Sequence, residues 1–405
     1  MTLAFASKRW FLFKNHCSKD SGRRQFVFIG GNDMNSIING RLIVPDERGD
    51  FKICAGAINF DDKIISIGEP ADGAEVIDAA GAYVAPGFIN VHSHGAAGVD
   101  AMDDDIDALQ RLADFLPSTG VTSFLPTTMT LPIEKIHGAL ERIRAGKNFS
   151  HGAKILGAHW EGSFISKKYC GAQDTAYIMP ADFALLENFA DVIKIITVAP
   201  EETGLDFIER CLAAGIIVSI GHSAATYEEA MAAIERGASR ITHLFNAQSP
   251  FHHRKAGVVG AALDSSANVE LIADNVHVSP AAQRIVAKVK PRSQIILITD
   301  SLRACGMSDG VSELGGQKVF VKGSLATLED GTIAGSVAKM NEVLRNFCAN
   351  TGLDVAAGVE LATKNPAVEL NIYDERGSLE VGKAADITVF DDAFNIKKTF
   401  VNGSL

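Results

Sequence analysis

Seven histidine and carboxylate side chains lie at the ends of short apolar runs that are far apart along the chain. They are His92, His94, Glu161, His222, His243, His277 and Asp300. Imidazole and carboxylate ligands together suit zinc, iron, manganese or cobalt, whereas calcium and magnesium prefer oxygen ligands alone. If the fold brings these groups together, one divalent ion satisfies them jointly, whereas without it each buried group needs its own partner. We therefore predict a metal centre.

Cysteine is not expected to contribute to this centre. The chain has six cysteines with no CxxC pair or other short spacing, at positions 17, 54, 170, 211, 305 and 348. Scattered cysteines in a chain of this length are typical of reduced thiols, which predicts a cytoplasmic location and argues against a disulfide framework. A zinc-ribbon type of site is excluded for the same reason.

The apolar runs that carry these side chains number eight. They span residues 83–94, 123–128, 154–161, 192–200, 216–222, 240–246, 269–277 and 294–300. Nearly continuous hydrophobicity indicates strands buried on both faces of a parallel sheet. Helical patterns separate the runs; for example, Thr226 and Glu229 form a capping box that opens a helix closed by Gly237.

Eight strand-then-helix units predict an α/β fold of the (β/α)₈ TIM type. No GxGxxG follows the first run, so the sequence lacks the usual mark of a dinucleotide-binding sheet. In such a barrel the carboxyl ends of all strands meet at one mouth, which is where we expect the seven side chains to converge.

Both ends of the chain have a different character. Short β-prone runs separated by Asp and Gly occupy residues 37–44, 51–58, 63–67 and 382–390. We predict that residues 34–84 and 371–405 together form a small β-sandwich domain. Residues 85–370 would then form the barrel.

Length and charge limit the partners. The 405 residues are 47% hydrophobic, enough for a large core, and 38 basic against 49 acidic residues give a net charge of −11. An acidic chain is a poor match for nucleic acid or anionic lipid, and no apolar run reaches the roughly 18 residues of a membrane span. Residues 1–33 form a basic leader, interpreted as sequence upstream of a start at Met34, a disordered tail or a transit peptide.

Several short motifs resemble a known family. Residues 86–95 (PGFINVHSHG) are similar to the opening strand of the amidohydrolase superfamily. Six further stretches resemble N-acetylglucosamine-6-phosphate deacetylases: 159–162 (HWEG), 218–223 (VSIGHS), 242–247 (THLFNA), 272–277 (IADNVH), 299–300 (TD) and 331–336 (GTIAGS). The resemblance runs in order from about residue 37 to residue 401.

This resemblance implies roles for individual residues. Glu161, His222 and His243 are implied metal ligands, and Asp300 is the implied catalytic acid and base. The implied substrate contacts are Ala172, Asn246, Ala247, Arg254, His277, Ala334, Gly335 and Ser336. The counterpart of Arg254 reaches the neighbouring subunit's site, which implies a homodimer. Some members lack the first-strand histidine pair and use one ion; His92 and His94 here allow a second, bridged by Glu161. Gln173 departs from the pattern, since many members carry a histidine there.

The expected activity is metal-dependent hydrolysis of the N-acetyl group of N-acetylglucosamine 6-phosphate, a step of amino sugar catabolism. One alternative is another amidohydrolase, acting on a related substrate such as N-acetylgalactosamine 6-phosphate or on a cyclic amide. Cyclic-amide enzymes usually carry a lysine at the fourth strand end, where this chain has residues 197–200 (TVAP), and Lys194 lies too early. A second alternative is a non-catalytic barrel, which measured metal content would distinguish.

Overall fold

The structure, a computed structural model, describes residues 34–405. The predicted basic leader, residues 1–33, lies outside the described residues. The strands are β1 (Asn35–Pro45), β2 (Phe51–Phe60), β3 (Ile64–Gly68), β4 (Glu75–Asp78), β5 (Tyr83–Pro86), β6 (Phe88–Ser93), β7 (Gly95–Ala96), β8 (Val99–Asp100), β9 (Val121–Pro126), β10 (Lys154–Ile155), β11 (Ala158–Trp160), β12 (Ile193–Val198), β13 (Ile217–Ile220), β14 (Arg240–Ile241), β15 (Asn268–Leu271), β16 (Ile295–Leu297), β17 (Gly310–Leu314), β18 (Gln317–Lys322), β19 (Leu325–Thr327), β20 (Ile387–Phe390) and β21 (Ile396–Phe400).

The α-helices are mostly short and amphipathic, as expected for helices that cover a sheet. They are α1 (Ile106–Phe115), α2 (Ile133–Gly146), α3 (Pro200–Thr203), α4 (Leu205–Ala213), α5 (Tyr227–Glu235), α6 (Gly257–Asp264), α7 (Pro280–Val289), α8 (Met340–Thr351), α9 (Val355–Glu360) and α10 (Lys364–Glu369). The predicted capping box is confirmed at the start of α5, where Thr226 and Glu229 exchange side-chain and backbone hydrogen bonds.

A parallel barrel occupies the middle of the chain, as predicted. Strands β11 to β16 pair in consecutive order, and β6, β9 and β10 form a second parallel sheet. Isolated parallel bridges join the two sheets, between Thr127 and His159 on one side and between Ser93 and Ser301 on the other. Since β10 and β11 are the two halves of the third strand, the eight predicted runs supply the eight strands of a closed TIM-type barrel.

Three local features differ from the regular strand-then-helix prediction. The first run is split at Gly87, because β5 joins another sheet and only β6 enters the barrel. A Cβ at Gly87 would lie 2.2 Å from the Thr122 side chain, so the crossing requires glycine. After the third strand the chain forms 3₁₀ turns and no α-helix: Lys167–Tyr169, Thr175–Tyr177, Phe183–Leu185 and Glu187–Phe189. The antiparallel sheet β17–β18–β19 precedes α8 in the eighth unit.

The two chain ends share one seven-stranded sheet. Its order is β21-β20-β5-β1-β2-β3, with β4 also paired to β1. The pairing of β1 with β2 has an irregularity between Ile37 and Gly40, where Asn39 has a φ of 55°. Apolar residues of both ends, including Leu42, Val84 and Ile387, form one buried cluster. Pairing between β5 and β20 therefore ties the end of the chain to the segment that leads into the first barrel strand.

Two global expectations can be compared with residues 34–405. In this part of the chain no helix is long and apolar enough to cross a membrane. The five cysteines that it contains, Cys54, Cys170, Cys211, Cys305 and Cys348, are all free thiols.

Candidate metal centre

Six of the seven side chains that we predicted to converge do so, at the carboxyl ends of the barrel strands. They form two adjoining groups, His92, His94 and Asp300 in one and Glu161, His222 and His243 in the other. The ligand atoms of each group lie within 4.8 Å of one another, and every member is buried. These six side chains thus follow or end five barrel strands, and they lie together inside the mouth. The strands are the first, third, fifth, sixth and eighth.

The Glu161 carboxylate joins the two groups. Its Oε1 lies 3.2 Å from Nε2 of His243 and 3.4 Å from Nε2 of both His222 and His92. Its Oε2 lies 3.2 Å from Nε2 of His94. Oδ1 of Asp300 completes the first group, 3.3 Å from Nε2 of His92 and 3.2 Å from Nε2 of His94. Every imidazole therefore directs its Nε2 toward the carboxylates.

The opposite ring nitrogen, Nδ1, is held from behind in all four histidines. Its partners are Glu270 Oε2 for His92 at 2.9 Å, Thr127 O for His94 at 3.2 Å, Tyr169 O for His222 at 3.0 Å and Asn246 O for His243 at 3.1 Å. A neutral imidazole that donates from Nδ1 has its lone pair on Nε2. Each ring is thus oriented as metal-ligating histidines are, with an acceptor fixing the tautomer.

Backbone strain accompanies this arrangement. His222, His243 and Asp300 have positive φ angles of 49°, 29° and 49°, a region that residues other than glycine rarely adopt. Such conformations cost about 1–3 kcal/mol each and persist where the surroundings impose them. A Cβ at Gly221, just before His222, would lie 2.6 Å from Cβ of Thr242, so the strands approach closely there. The fold therefore holds these side chains in strained positions at the mouth.

The centre concentrates opposing charges away from water. Although burial alone would lower the pKa of His94, hydrogen bonds to Asp300 and Glu161 raise it to about 10. Burial opposes ionisation of Glu161 too, yet the surrounding imidazoles hold its pKa well below the usual range. The centre is thus built to hold carboxylates as anions beside positive charge. Protons and a metal cation compete for the same lone pairs in such a site.

The donor set fits a divalent metal ion. Nε2 of His92 is buried and has no hydrogen-bond partner. Nε2 of His222 and Nε2 of His243 lie 3.1 Å apart, although both carry lone pairs when Nδ1 is the protonated nitrogen. A cation between these nitrogens and the carboxylates satisfies all of them. Glu161, His222 and His243 can hold one ion, and His92, His94 and Asp300 can hold a second.

The seventh predicted side chain, His277, is not a member of either group. Its Nδ1 lies 2.7 Å from Oδ2 of Asp274, whose Oδ1 accepts the backbone N–H of His277 at 2.8 Å. In this structure Nδ1 of His277 is thus paired with Asp274, and the expectation that all five strand-end histidines share one centre stays a prediction for His277. Its orientation leaves Nε2 as the remaining polar atom of the ring.

The other predicted substrate contacts lie on loops that follow the strands. The 334–336 turn packs behind Asp300: Ser336 donates its N–H to the Asp300 carbonyl at 2.8 Å, and its hydroxyl donates to the Thr299 carbonyl. Ala334 is fully buried and Gly335 has a φ of 53°. The Ser336 side chain is thus occupied by the fold, so in this structure the turn supports the Asp300 backbone.

Three further predicted contacts are Asn246, Ala247 and Ala172. Asn246 provides the carbonyl that holds His243, and Ala247 accepts the N–H of Ser223 at 3.1 Å. The Ala172 carbonyl accepts a hydrogen bond from Gln317 of the β18 start at 2.6 Å. All three predicted contacts are half-buried.

Arg254 stands apart from the six clustered side chains. It belongs to an exposed hairpin with a bridge between His252 and Lys255, and its guanidinium donates to Nε2 of His253 at 2.7 Å. Phe251, which precedes the hairpin, is 61% exposed. The structure therefore gives Arg254 no contact with the six clustered side chains.

Sequence reasoning missed the polar residues behind the centre. Glu270 lies in the middle of apolar strand β15 and pairs with fully buried Arg240. Both ring nitrogens of His159 form hydrogen bonds, one to the Val91 carbonyl and one to the Thr197 hydroxyl. We therefore interpret His159 as a structural residue and not as a metal ligand. A charged residue inside an otherwise apolar run was the available signal for Glu270.

Gln173 also has a role that the sequence did not indicate. Its Nε2 donates to Glu161 Oε2 at 2.9 Å, and its Oε1 accepts the Thr130 N–H at 2.7 Å. The side chain is buried, and it links the loop after the second strand to the carboxylate at the centre. In this structure Gln173 therefore holds Glu161.

Known proteins are similar to this chain in sequence and in architecture. An N-acetylglucosamine-6-phosphate deacetylase of Bacillus subtilis is 40% identical over 341 residues, 82% of this chain and 86% of the relative. An N-acetylgalactosamine-6-phosphate deacetylase of Escherichia coli O157:H7 is 35% identical, over 85% of this chain and 93% of the relative. The crystal structure of N-acetylglucosamine-6-phosphate deacetylase from Pasteurella multocida superposes with a TM-score of 0.86 at 32% identity, covering 91% of this chain and 98% of that one.

These similarities agree with the buried cluster of histidines and carboxylates at the barrel mouth. The sequence model of the amidohydrolase family matches residues 83–405, a span that contains every barrel strand and all six clustered side chains. The resemblance inferred from short motifs is thus confirmed, and the chain belongs to the amidohydrolase family.

Proposed function

We propose that this protein hydrolyses the N-acetyl group of N-acetylglucosamine 6-phosphate, giving glucosamine 6-phosphate and acetate. The observation that carries the proposal is the group formed by Glu161, His222 and His243, beside Asp300, at the mouth of the barrel. Relatives at 35–40% identity over more than four fifths of the chain support the substrate class, because they are named as deacetylases of amino sugar phosphates.

The metal ligands of the proposal are Glu161, His222 and His243 for one ion, with His92 and His94 available for a second. We propose zinc as the resident ion, with iron, manganese and cobalt as alternatives that suit the same ligands. When bound, such an ion polarises a carbonyl group and makes water more acidic.

Asp300 is the proposed acid and base. Its carboxylate lies at the eighth strand end, and the burial penalty on its charge is outweighed by His92 and His94, which lower its pKa. It can accept a proton as water adds to the acetyl carbon, and it can return that proton to the nitrogen as the carbon–nitrogen bond breaks. The amine then leaves in a neutral form, which an amide nitrogen cannot do without a proton. His277 is proposed to stabilise negative charge on the carbonyl oxygen.

Recognition of the sugar phosphate is proposed to involve the loops around the mouth. Arg254 offers a planar guanidinium suited to a phosphate dianion, and it lies on an exposed hairpin. We therefore propose a homodimer in which each Arg254 serves the neighbouring site. The remaining proposed contacts are Ala172, Asn246, Ala247, His277, Ala334, Gly335 and Ser336.

We also propose the domain organisation and location expected from the sequence. Residues 34–84 and 371–405 form a small β-sandwich domain in this proposal; the one sheet that they share and its own buried apolar cluster support a separate small β domain. Residues 85–370 form the catalytic barrel. The free cysteines support a cytoplasmic location.

A substrate panel tests the activity. We would incubate the purified protein with N-acetylglucosamine 6-phosphate, its galactosamine epimer and unphosphorylated N-acetylglucosamine, and measure acetate release. We expect the fastest release from N-acetylglucosamine 6-phosphate. A preference for the epimer would favour the second candidate, which the relative from E. coli O157:H7 supports.

Two other outcomes would count against parts of the proposal. Equal rates with and without the phosphate would refute the role given to Arg254. No release from any substrate, in protein that contains no divalent ion and gains nothing from added metal, would favour a non-catalytic barrel.

A further inference from the structure

A buried cluster of charged side chains lies behind the metal centre. Arg240, at the start of β14, is fully buried and pairs with two carboxylates, Glu270 of β15 and Glu369 of α10. Nε of Arg240 donates to Glu270 Oε1 at 3.0 Å, and Nη2 donates to the same oxygen. Glu270 is itself fully buried. Oε1 of Glu270 thus accepts hydrogen bonds from Arg240, whereas Oε2 of Glu270 is not bonded to Arg240.

That second oxygen, Oε2 of Glu270, contacts two residues of the candidate centre. It lies 2.9 Å from Nδ1 of His92 and accepts the backbone N–H of His243 at 2.9 Å. His243 follows the end of the two-residue strand β14, so its N–H is no longer part of the strand ladder. One carboxylate oxygen therefore connects a candidate ligand of the first strand with one of the sixth.

His92 differs from the other three clustered histidines in this respect. Carbonyl groups of the backbone hold Nδ1 of His94, His222 and His243, whereas a carboxylate holds Nδ1 of His92. A carboxylate partner both fixes the ring and makes its other nitrogen a stronger ligand. Nε2 of His92 is also the buried imidazole nitrogen without a hydrogen-bond partner among the described residues.

We propose that Glu270 is a positioning residue of the metal centre, which directs Nε2 of His92 at the ion and holds the His243 backbone in place. The inference rests on the proposed function, because it assumes that His92 and His243 bind metal. Arg240 compensates the negative charge of Glu270. Glu369 also forms an ion pair with Arg240, but it does not contact His92 or His243.

The variants Glu270→Gln and Glu369→Gln form a matched pair that tests this role. Each neutralises one buried carboxylate partner of Arg240, yet only the first alters the hydrogen bonds to His92 and His243. Binding of Co²⁺ to the metal-free proteins would be measured by calorimetry and by the visible spectrum of the bound ion. We expect Glu270→Gln to weaken binding by about 10–100-fold and to change the spectrum, as mutations behind metal ligands do. Glu369→Gln should bind Co²⁺ as the original chain does.

Thermal unfolding of the metal-free proteins separates positioning from general stability. We expect both variants to lower the unfolding temperature, since both leave Arg240 with one anionic partner. Equal Co²⁺ affinity and an unchanged spectrum in Glu270→Gln would overturn the proposal, and so would an equal loss of affinity in both variants. If Glu270→Gln does not fold, Glu270→Asp keeps the charge but shortens the reach, and native-like Co²⁺ binding by it would again overturn the proposal.

The failure of the proposed function would look different. An original chain that binds no Co²⁺ at all would contradict the metal centre itself. An original chain that binds Co²⁺, together with a Glu270→Gln variant that binds it equally well, would contradict only the role of Glu270.

Discussion

Replacing Arg240 by methionine should destabilise the protein far more than replacing an exposed arginine. Arg240 is fully buried, and its two carboxylate partners, Glu270 and Glu369, have side chains exposed by only 0% and 4%. Removing one member of a buried ion pair typically costs about 3–5 kcal/mol, because the remaining charge stays buried without compensation. Because Arg240→Met leaves two buried carboxylates without their cationic partner, we expect the free energy of unfolding to fall by about 5 kcal/mol.

The assay is urea unfolding of the metal-free protein, followed by circular dichroism. Arg236→Met is the matched control, because Arg236 pairs with Glu209 at the surface, where both side chains are nearly half exposed. An exposed pair contributes about 0–1 kcal/mol, so this variant should unfold almost as the original does. Neutralising Glu270 and Glu369 as well should recover part of the loss in Arg240→Met. A cost below about 1 kcal/mol for Arg240→Met would refute the reasoning, because it lies in the range of exposed pairs.

Three further predictions concern the site and one helix. Asp300→Asn should keep the ion at Glu161 but lower kcat by at least about 10²-fold, because the proton carrier is lost; near-normal turnover would refute its role. Removal of the metal by a chelator should abolish acetate release until a divalent ion is added, and it should lower the free energy of unfolding by about 2.7 kcal/mol relative to protein with the ion at 100 times its Kd. Unchanged activity after verified metal removal would contradict this. Thr226→Ala should cost about 1 kcal/mol in unfolding free energy through loss of the α5 cap, whereas Thr226→Ser should not; equal stability of the two would count against the cap.

The barrel could be predicted because burial on both faces leaves a strong mark on the sequence. Each of the eight apolar runs overlaps a barrel strand. The division of the first run between two sheets left no such mark, since residues on both sides of Gly87 are equally buried. It depends on close contact with Thr122, which is distant in sequence. The apolar runs did not indicate the 3₁₀ turns after the third strand either. These turns depend on local caps, such as those of Asp174 and Asp182.

The candidate centre was predictable in its ligands but not in its supports. Barrel geometry alone makes strand-end side chains neighbours, so His92 and Glu161 could be placed together from their positions in the runs. The same argument did not indicate that Asp274, three residues earlier, pairs with Nδ1 of His277. The partners of Glu270 could not be identified from the sequence. Arg240 of the neighbouring strand β14 and the ring of His92 come close to Glu270 only in the folded structure.

The sheet shared by the two chain ends has a consequence for biosynthesis. As the chain leaves the ribosome, β1, β2 and β5 emerge early, whereas β20 emerges only after the whole barrel. Until then one edge of β5 has unpaired backbone groups, and such edges attract other nascent or misfolded chains. Late pairing over so long a separation is also slow. The nascent protein therefore depends on β20 to complete the sheet that begins with β1, and a chain that terminates before β20 would leave that edge of β5 unpaired.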